Sequence, residues 1–356
     1  MDNRVMASHP ASAPTPGPPA RHSAAEPRRA PAASSHQTYA AIDLGTNNCR
    51  LLIARPTPGG FTVVDAFSRI VRLGEGLATS GRLTDGAMDR AVEALGVCAD
   101  KLRRRRVGLA RSVATEACRR AANGRHFVER VRRETGIVLE IIAPQEEARL
   151  AVLGCHKLLE PGDGPALIFD IGGGSTELVL VEPGGEDMAP RIKAWWSAPW
   201  GVVSLTESEG RTAIEGPDRV AAYRRMRERA RHAFARFTEL LPENKDNIRL
   251  LGTSGTVTTL ASVHLALPSY DRRAVDGLHV PIGAMRDIST MIAEMDFEGR
   301  SGLPCIGAER ADLVVAGCAI LEAILDIWPA EQLGIADRGI REGILRSLMA
   351  RDGHIL

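Results

Sequence analysis

The sequence predicts an α/β protein made of two similar halves. Segments typical of strands alternate with segments typical of helices along the chain, which is characteristic of the α/β class. One strand–turn–strand unit also occurs twice. A third observation is a later glycine turn, "LLGTSGTVTTLA", placed between an apolar strand and a helix.

The repeated unit consists of two stretches, "AIDLGTNNCRLLIAR" and "IFDIGGGSTELVLVE", which align without a gap. Asp43 falls on Asp170, and Gly45 falls on Gly172. Each stretch leads directly into a glycine-containing turn and then into chain that is compatible with another strand. A chance match of one short motif is common. A shared motif, register and following hairpin therefore indicate an internal repeat.

The remaining segments complete the alternation of strands and helices. From Tyr39 onward, short runs rich in β-branched residues predict three strands joined by turns. Between residues 84 and 106, apolar side chains recur at spacings of three and four, which predicts a helix. "GLARSVATEACRRA" then predicts a strand and a helix, "IVLEIIAP" another strand, and "QEEARLAVLGCHKLL" another helix.

Composition excludes several classes of protein. The formal net charge of +1 over 356 residues argues against a polycation that coats nucleic acid. The six cysteines form no C-x-x-C pair, so neither a zinc site nor a disulfide framework is indicated, and reduced thiols in a cytoplasmic protein are expected. The uncharged run over residues 250–270 is interrupted throughout by glycine, serine and threonine, so it is not a continuous apolar segment, and no transmembrane helix is expected.

The start of the chain differs in composition from the rest. Residues 1–37 are rich in proline, alanine and serine and have no apolar period, which predicts a disordered tail. The tail lacks the continuous apolar core of a signal peptide. We expect a first domain over 38–145 and a second over 146–356. The C-terminal helix, at about 339–352, is expected to pack back on the first domain.

The glycine turns indicate phosphate binding. Backbone N–H groups in such turns point outward and can bind phosphate oxygens, and only glycine permits the close approach. The predicted phosphate ligands in the three turns are Gly45, Thr46, Asn47, Gly172, Gly173, Gly174, Ser175, Thr176, Gly252, Ser254 and Gly255. A single turn of this kind is more often an ordinary tight turn, whereas two aligned copies and a third loop favour a phosphate site.

Two acids close the repeated strands. Asp43 and Asp170 cannot bind phosphate directly, but their carboxylates are suited to a divalent cation, Mg²⁺ or Mn²⁺, or to waters around it. Such a cation would offset the phosphate charge. Glu177 follows the second turn and is a further candidate for contact with metal-bound water; an ion pair with a neighbouring residue is the alternative.

The two repeated stretches resemble the phosphate loops of the actin-like ATPase superfamily, which includes sugar kinases. The narrower resemblance, to the exopolyphosphatase and guanosine pentaphosphate phosphatase (Ppx/GppA) family, depends on "VATEACRRA", "IIAPQEEARLAVLG", "LLGTSGTVTTLA", "GAERADLVVAGCAILEAI" and "DRGIREGILRSL". This resemblance covers the chain from Tyr39 to the last helix. It implies two ribonuclease-H-like domains with the active cleft between them.

The resemblance also implies roles for two further residues. Glu147 matches the family glutamate that positions and deprotonates the attacking water. Arg119 matches an arginine that faces the cleft and binds phosphate through charge-assisted hydrogen bonds. From the residues alone, Glu146 and Glu147 are equally compatible with acids that interact with a helix dipole. Arg149 is either the partner of Glu147 or a surface charge.

The resemblance implies hydrolysis of a phosphoric anhydride, with inorganic polyphosphate as the first-choice substrate. Hydrolysis of guanosine pentaphosphate to the tetraphosphate is the second choice. An ATP-binding kinase or ATPase and a non-catalytic sensor of a guanosine alarmone are the other classes. We expect a homodimer without nucleic-acid or membrane partners. The basic segment 219–237 predicts a solvated helix face, with a track for a polyanion as the alternative.

Overall fold

The structure is a computed structural model that describes residues 37–182, 184, 190–243 and 247–354. Apart from Gln37, the predicted tail lies outside the described residues. The described chain contains two mixed β-sheets, of five and six strands, with helices packed against them. The predicted α/β fold of two halves is thus confirmed. None of the described helices combines the length and apolar character that a membrane span requires.

The first sheet contains the strands before residue 142. These are β1 (Tyr39–Leu44), β2 (Asn48–Thr57), β3 (Gly60–Ile70), β4 (Leu109–Ala114) and β5 (Leu139–Ile141), in the order β3-β2-β1-β4-β5. The helices of this half are α1 (Leu77–Ser80), α2 (Asp85–Arg104), α3 (Glu116–Arg120) and α4 (Gly124–Thr135). Its main core includes Ile42 and Leu44 of β1 together with Leu95 of α2 and Phe127 of α4.

The second sheet contains the later strands. These are β6 (Ala166–Ile171), β7 (Thr176–Glu182), β8 (Arg191–Ala198), β9 (Arg249–Thr253), β10 (His279–Pro281) and β11 (Gln332–Ala336), in the order β10-β11-β9-β6-β7-β8. The helices that follow the first sheet are α5 (Pro144–Cys155), α6 (Val202–Glu209), α7 (Arg211–Glu215), α8 (Arg219–Thr238), α9 (Gly255–His264), α10 (Arg272–Val275), α11 (Ile282–Glu294), α12 (Phe297–Gly302), α13 (Val314–Ile327) and α14 (Ile340–Arg351).

The sequence repeat corresponds to matching strand registers. Strands β1 and β2 are antiparallel and pair Asp43 with Arg50. Strands β6 and β7 are also antiparallel and pair Asp170 with Glu177. Each first strand then pairs in parallel with a later strand, β1 with β4 and β6 with β9. Each half therefore presents one aspartate at the end of its central strand.

Helices α5 and α14 pack closely together. A side chain at Gly154 of α5 would overlap the carbonyl oxygen of Gly339, and one at Gly343 of α14 would overlap the carbonyl oxygen of Leu150. Glycine at these two positions therefore permits the contact. Helix α14 also packs on the first sheet, where its apolar residues share a core with β1 and β2. This packing places α5, which carries Glu147, against both halves.

Candidate active site

A pocket lies where the ends of β1 and β6, the turns after them and the starts of α5 and α9 meet. Thirteen of the predicted site residues line this pocket: Asp43, Gly45, Thr46, Asn47, Glu147, Asp170, Gly172, Gly173, Gly174, Ser175, Glu177, Ser254 and Gly255. Segments that are far apart in the sequence therefore contribute to one site.

The two repeated turns have the same backbone hydrogen bond. The N–H of Gly45 donates to the carbonyl of Asn48 over 2.9 Å, and the N–H of Gly172 donates to the carbonyl of Ser175 over 2.9 Å. Because Gly45 aligns with Gly172 in the repeat, the duplication extends to the geometry of the turn. We call these segments, residues 45–48 and 172–175, the first and second phosphate turns.

The two phosphate turns also contact each other. An ideal Cβ on Gly173 would lie 2.9 Å from Cβ of Thr46 and 3.1 Å from the backbone N of Asn47, and one on Gly174 would lie 2.7 Å from Oγ1 of Thr46. Real Cβ atoms essentially never approach other heavy atoms within 3.0 Å. Glycine at 173 and 174 thus permits the approach of the first turn, a constraint that the sequence prediction assigned to phosphate.

Three predicted phosphate ligands lie outside the pocket lining, and two of them, Thr176 and Gly252, belong to the glycine turns. The Thr176 hydroxyl donates to the carbonyl of Trp200 over 2.7 Å and is buried. Gly252 lies within β9, where an ideal Cβ would be 2.5 Å from the ring of Phe169. The absence of a side chain at Gly252 therefore accommodates an aromatic ring. In the same turn, Ser254 caps α9 and lines the pocket.

Glu146 and Glu147 are adjacent in α5 but have different surroundings. Glu146 accepts hydrogen bonds from Arg149 (2.7 Å) and Arg111 (2.8 Å), and these lower the pKa of its carboxyl. Glu147 is only 6% exposed and faces the pocket. Burial, followed by the nearby Glu177 charge, raises the pKa of Glu147 well above its usual range. Glu147 therefore has the character of a general base.

Arg119 contacts Glu147 and is not part of the pocket lining. Its guanidinium donates to Oε2 of Glu147 over 3.2 Å, to the carbonyl of Ile142 over 2.7 Å and to Glu116. The structure thus places the predicted phosphate ligand behind the carboxylate. In this position Arg119 orients Glu147 toward the pocket.

The acids of the pocket fit a hydrated divalent cation. Oδ1 of Asp43 is buried and has no hydrogen-bond partner among the residues that the structure describes. Burial, and then the charges of Glu177 and Asp43, raises the pKa of Asp170 to about 8. Among the described residues no three acid, cysteine or histidine side chains converge as a metal cluster. Mg²⁺ commonly uses one or two carboxylates and otherwise binds water and phosphate, so Asp43 and Asp170 suffice.

Glu177 differs from the two aspartates. Its Oε1 accepts hydrogen bonds from the hydroxyls of Ser175 (2.8 Å) and Ser197 (2.9 Å). Burial raises the pKa of Glu177 to about 7, against the lowering effect of these hydrogen bonds. The predicted contact with a metal-bound water would therefore use its other oxygen.

Two arginines of the pocket are absent from the sequence prediction. Arg50 lines the pocket and pairs in register with Asp43. The repeat aligns Arg50 with Glu177, which is a predicted site residue. The alignment therefore contains the information needed to identify Arg50 as a second candidate. Arg310 also lines the pocket and donates to Oγ1 of Thr259 over 2.9 Å. Arg310 belongs to the quoted motif "GAERADLVVAGCAILEAI".

Duplicated glycine turns, two strand-terminal aspartates and a buried glutamate in one pocket define an α/β enzyme that acts on phosphate groups. Comparison with known proteins identifies the family within this class. The profile described as the Ppx/GppA phosphatase family matches residues 52–352. The chain belongs to this family, and the resemblance inferred from the motifs is confirmed.

Relatives within the family have two activities in their names. Exopolyphosphatase 2 of Mycobacterium tuberculosis is 31% identical over 323 residues, which cover 87% of this chain and 98% of the relative. The guanosine-5'-triphosphate,3'-diphosphate pyrophosphatase of Aeromonas hydrophila is 28% identical over 324 residues, covering 88% of this chain and 60% of the longer relative.

Solved structures agree with the fold. The crystal structure of the Aquifex aeolicus Ppx/GppA family member is 30% identical, has a TM-score of 0.72, and matches over 90% of this chain and 99% of that one. An exopolyphosphatase from Cytophaga hutchinsonii has a TM-score of 0.77 over 88% of this chain and 98% of that one, at 23% identity. The second comparison supports the fold alone.

Proposed function

We propose that this chain is an exopolyphosphatase, which hydrolyses the terminal anhydride of inorganic polyphosphate and releases orthophosphate. The observation that carries the proposal is that Glu147, a buried carboxylate of raised pKa, shares one pocket with both phosphate turns. The name of the Mycobacterium tuberculosis relative agrees with this substrate.

In the proposed mechanism, backbone N–H groups of the two phosphate turns and the hydroxyls of Thr46 and Ser175 bind the terminal phosphate. Glu147 accepts a proton from a water molecule as the water oxygen forms a bond to phosphorus. The bridging P–O bond opposite breaks, and orthophosphate and a chain one unit shorter result. A raised pKa makes Glu147 a stronger base near neutral pH, and Arg119 keeps its carboxylate in place.

The proposed cofactor is Mg²⁺ or Mn²⁺, held by Asp43 and Asp170. When bound, the cation would neutralise phosphate charge and polarise the phosphoryl oxygens. The orphaned Oδ1 of Asp43 supports this role, as does the need to offset two partly buried carboxylates in one pocket.

Hydrolysis of guanosine pentaphosphate is the second candidate. The relative from Aeromonas hydrophila supports it. The pocket also continues past the phosphate turns to Thr256, Thr259 and Arg310, which offer hydrogen-bond donors to groups beyond the first phosphate. The presence of Glu147 and both aspartates in the pocket argues against a purely sensory protein.

The proposal includes a cytoplasmic location, a homodimer, and no nucleic-acid or membrane partner. All six cysteines are free thiols, and five of them are buried. Free thiols are typical of proteins in a reducing compartment, which supports the cytoplasm. The near-neutral net charge supports a small or linear polyanion as substrate over nucleic acid.

Orthophosphate release from polyphosphate, guanosine pentaphosphate and ATP, measured side by side with one enzyme preparation, tests the proposal. We expect the highest kcat/KM on polyphosphate. A higher value on guanosine pentaphosphate would select the second candidate, and a preference for ATP would assign the chain to the kinase or ATPase class. Glu147→Gln, purified in the same way, is the control for contaminating phosphatases.

A further inference from the structure

A second, smaller pocket adjoins the active site at the two aspartates. It shares Asp43, Arg50, Asp170, Ser254 and Ile340 with the catalytic pocket. Most of the rest of its wall comes from residues 337–341, which comprise the connection after β11 and the first two residues of α14. We call it the 337–341 pocket. None of its own residues, which include Arg338 and Arg341, is used by the proposed mechanism.

Two guanidinium groups of this pocket lack an acceptor within the described part of the chain. Neither Arg50 nor Arg341 makes a hydrogen bond or ion pair with any residue that the structure describes, although both line the pocket. The two cations lie in the wall of one small pocket, and burial, followed by the charge of Arg341, lowers the pKa of Arg50. By contrast, Arg338 forms an ion pair with Asp276 at 2.8 Å. Two neighbouring unpaired guanidinium groups in a partly desolvated pocket are suited to an anion.

The charge of the pocket specifies the anion further. Three arginines and three aspartates line it, so the lining is neutral when all six groups are charged. One of the aspartates, Asp337, is already paired with Arg272 at 3.1 Å. A divalent cation at Asp43 and Asp170 brings the lining to a charge of +2, which matches an orthophosphate dianion. Guanidinium groups bind phosphate oxygens in pairs, with a geometry that few other side chains offer.

We propose that the 337–341 pocket binds the orthophosphate that hydrolysis releases and provides its exit from the catalytic pocket. The identity of the anion rests on the proposed function. Asp337 and Arg338 are partly exposed, with side-chain exposures of 24% and 36%, so this side of the pocket reaches solvent. An enzyme that shortens a chain one phosphate at a time benefits from such an exit, because the product can leave while the chain stays bound.

Titration calorimetry of orthophosphate with the Mg²⁺-loaded protein tests the binding site. Arg341→Gln should raise the Kd about tenfold, since a charge-assisted hydrogen bond is lost. Arg341→Lys keeps the charge without the planar fork and should give an intermediate Kd. Arg351→Gln, on the exposed end of the same helix, is the matched control and should bind as the wild type does. An unchanged Kd in a folded Arg341→Gln or Arg341→Lys protein would overturn the proposal.

Product inhibition separates this pocket from the phosphate turns. In the wild type, orthophosphate should inhibit long-chain polyphosphate hydrolysis with a non-competitive component, because product and chain occupy different pockets. Arg341→Gln should lose that component. Purely competitive inhibition in the wild type, or a KM that rises in parallel with the Kd in Arg341→Gln, would place Arg341 in the substrate site and refute the inference. Calorimetry measures orthophosphate binding without turnover. If orthophosphate binds through Arg341 but the protein does not hydrolyse anhydrides, the proposed function is refuted and the binding site is not.

Discussion

Replacement of Gly173 by alanine tests the contact between the two phosphate turns. The added Cβ would lie 2.9 Å from Cβ of Thr46 and 3.3 Å from Cβ of Asn47, whereas carbon atoms in contact are about 3.5–4.0 Å apart. The turns must therefore separate by about 0.6 Å or more. Both are held by backbone hydrogen bonds, from Gly74 to Thr46 over 2.9 Å and from Val203 to Gly173 over 2.8 Å, so the strain is not easily relieved.

A displacement of about 1 Å at a reacting group can cost on the order of 10²-fold in rate. We therefore expect Gly173→Ala to lower kcat/KM for tripolyphosphate by about 10- to 100-fold, which corresponds to about 1.4–2.7 kcal/mol of transition-state stabilisation. The assay is orthophosphate release at low substrate concentration, with thermal melting to verify folding.

Gly96→Ala is the matched control for Gly173→Ala. Gly96 lies within α2, and its ideal Cβ would meet nothing within 4 Å. This variant should keep full activity and gain about 0.5–1 kcal/mol of stability, because alanine is favoured over glycine inside a helix. A folded Gly173→Ala protein with wild-type kcat/KM would refute the conclusion that glycine is needed where the turns meet.

Two further predictions concern charge. Because the pKa of Asp170 is about 8 in the folded chain and about 4 when unfolded, the cation-free protein should lose stability as pH rises from about 4 to about 8. Asp170→Asn should reduce the fall in melting temperature over this pH range. An unchanged pH dependence of the melting temperature would contradict the raised pKa of Asp170. Replacement of Arg225 and Arg229 by alanine should alter KM equally for long polyphosphate and tripolyphosphate, because both arginines already pair with Glu209, at 2.8 and 3.1 Å. A KM increase confined to long chains would show that α8 guides a polyanion.

The fold is largely predictable from local patterns. The repeat identifies Asp43 and Asp170 as equivalent, and the structure shows matching strand pairs at both. Periodic segments such as α2 are recognised because one face is apolar and the other polar. Helix α13 (Val314–Ile327) is buried on nearly all sides, so it has no such period. Its place in the core depends on contacts with distant segments, which the sequence pattern does not record.

The site is predictable in its segments but less so in its side-chain directions. Thr176 and Gly252 belong to segments that reach the pocket. The hydroxyl of Thr176, however, donates to the carbonyl of Trp200, and Gly252 packs against the ring of Phe169. Arg119 is near the site but binds Glu147. The direction of a side chain depends on its neighbours in the folded structure, and motif spacing alone contains no information about those neighbours.

The kcat of Glu147→Gln on polyphosphate tests the central claim most directly, with binding of the chain measured in parallel. Glutamine keeps the size and hydrogen-bonding shape of the side chain and removes the base. We predict a fall in kcat of about 10²–10⁴, with unchanged or tighter binding because a negative charge leaves the pocket. Glu146→Gln, whose carboxylate is bound by Arg111 and Arg149, should retain its kcat. Near-normal turnover by the Glu147 variant, or its recovery at high Mg²⁺, would contradict the assignment of Glu147 as the base.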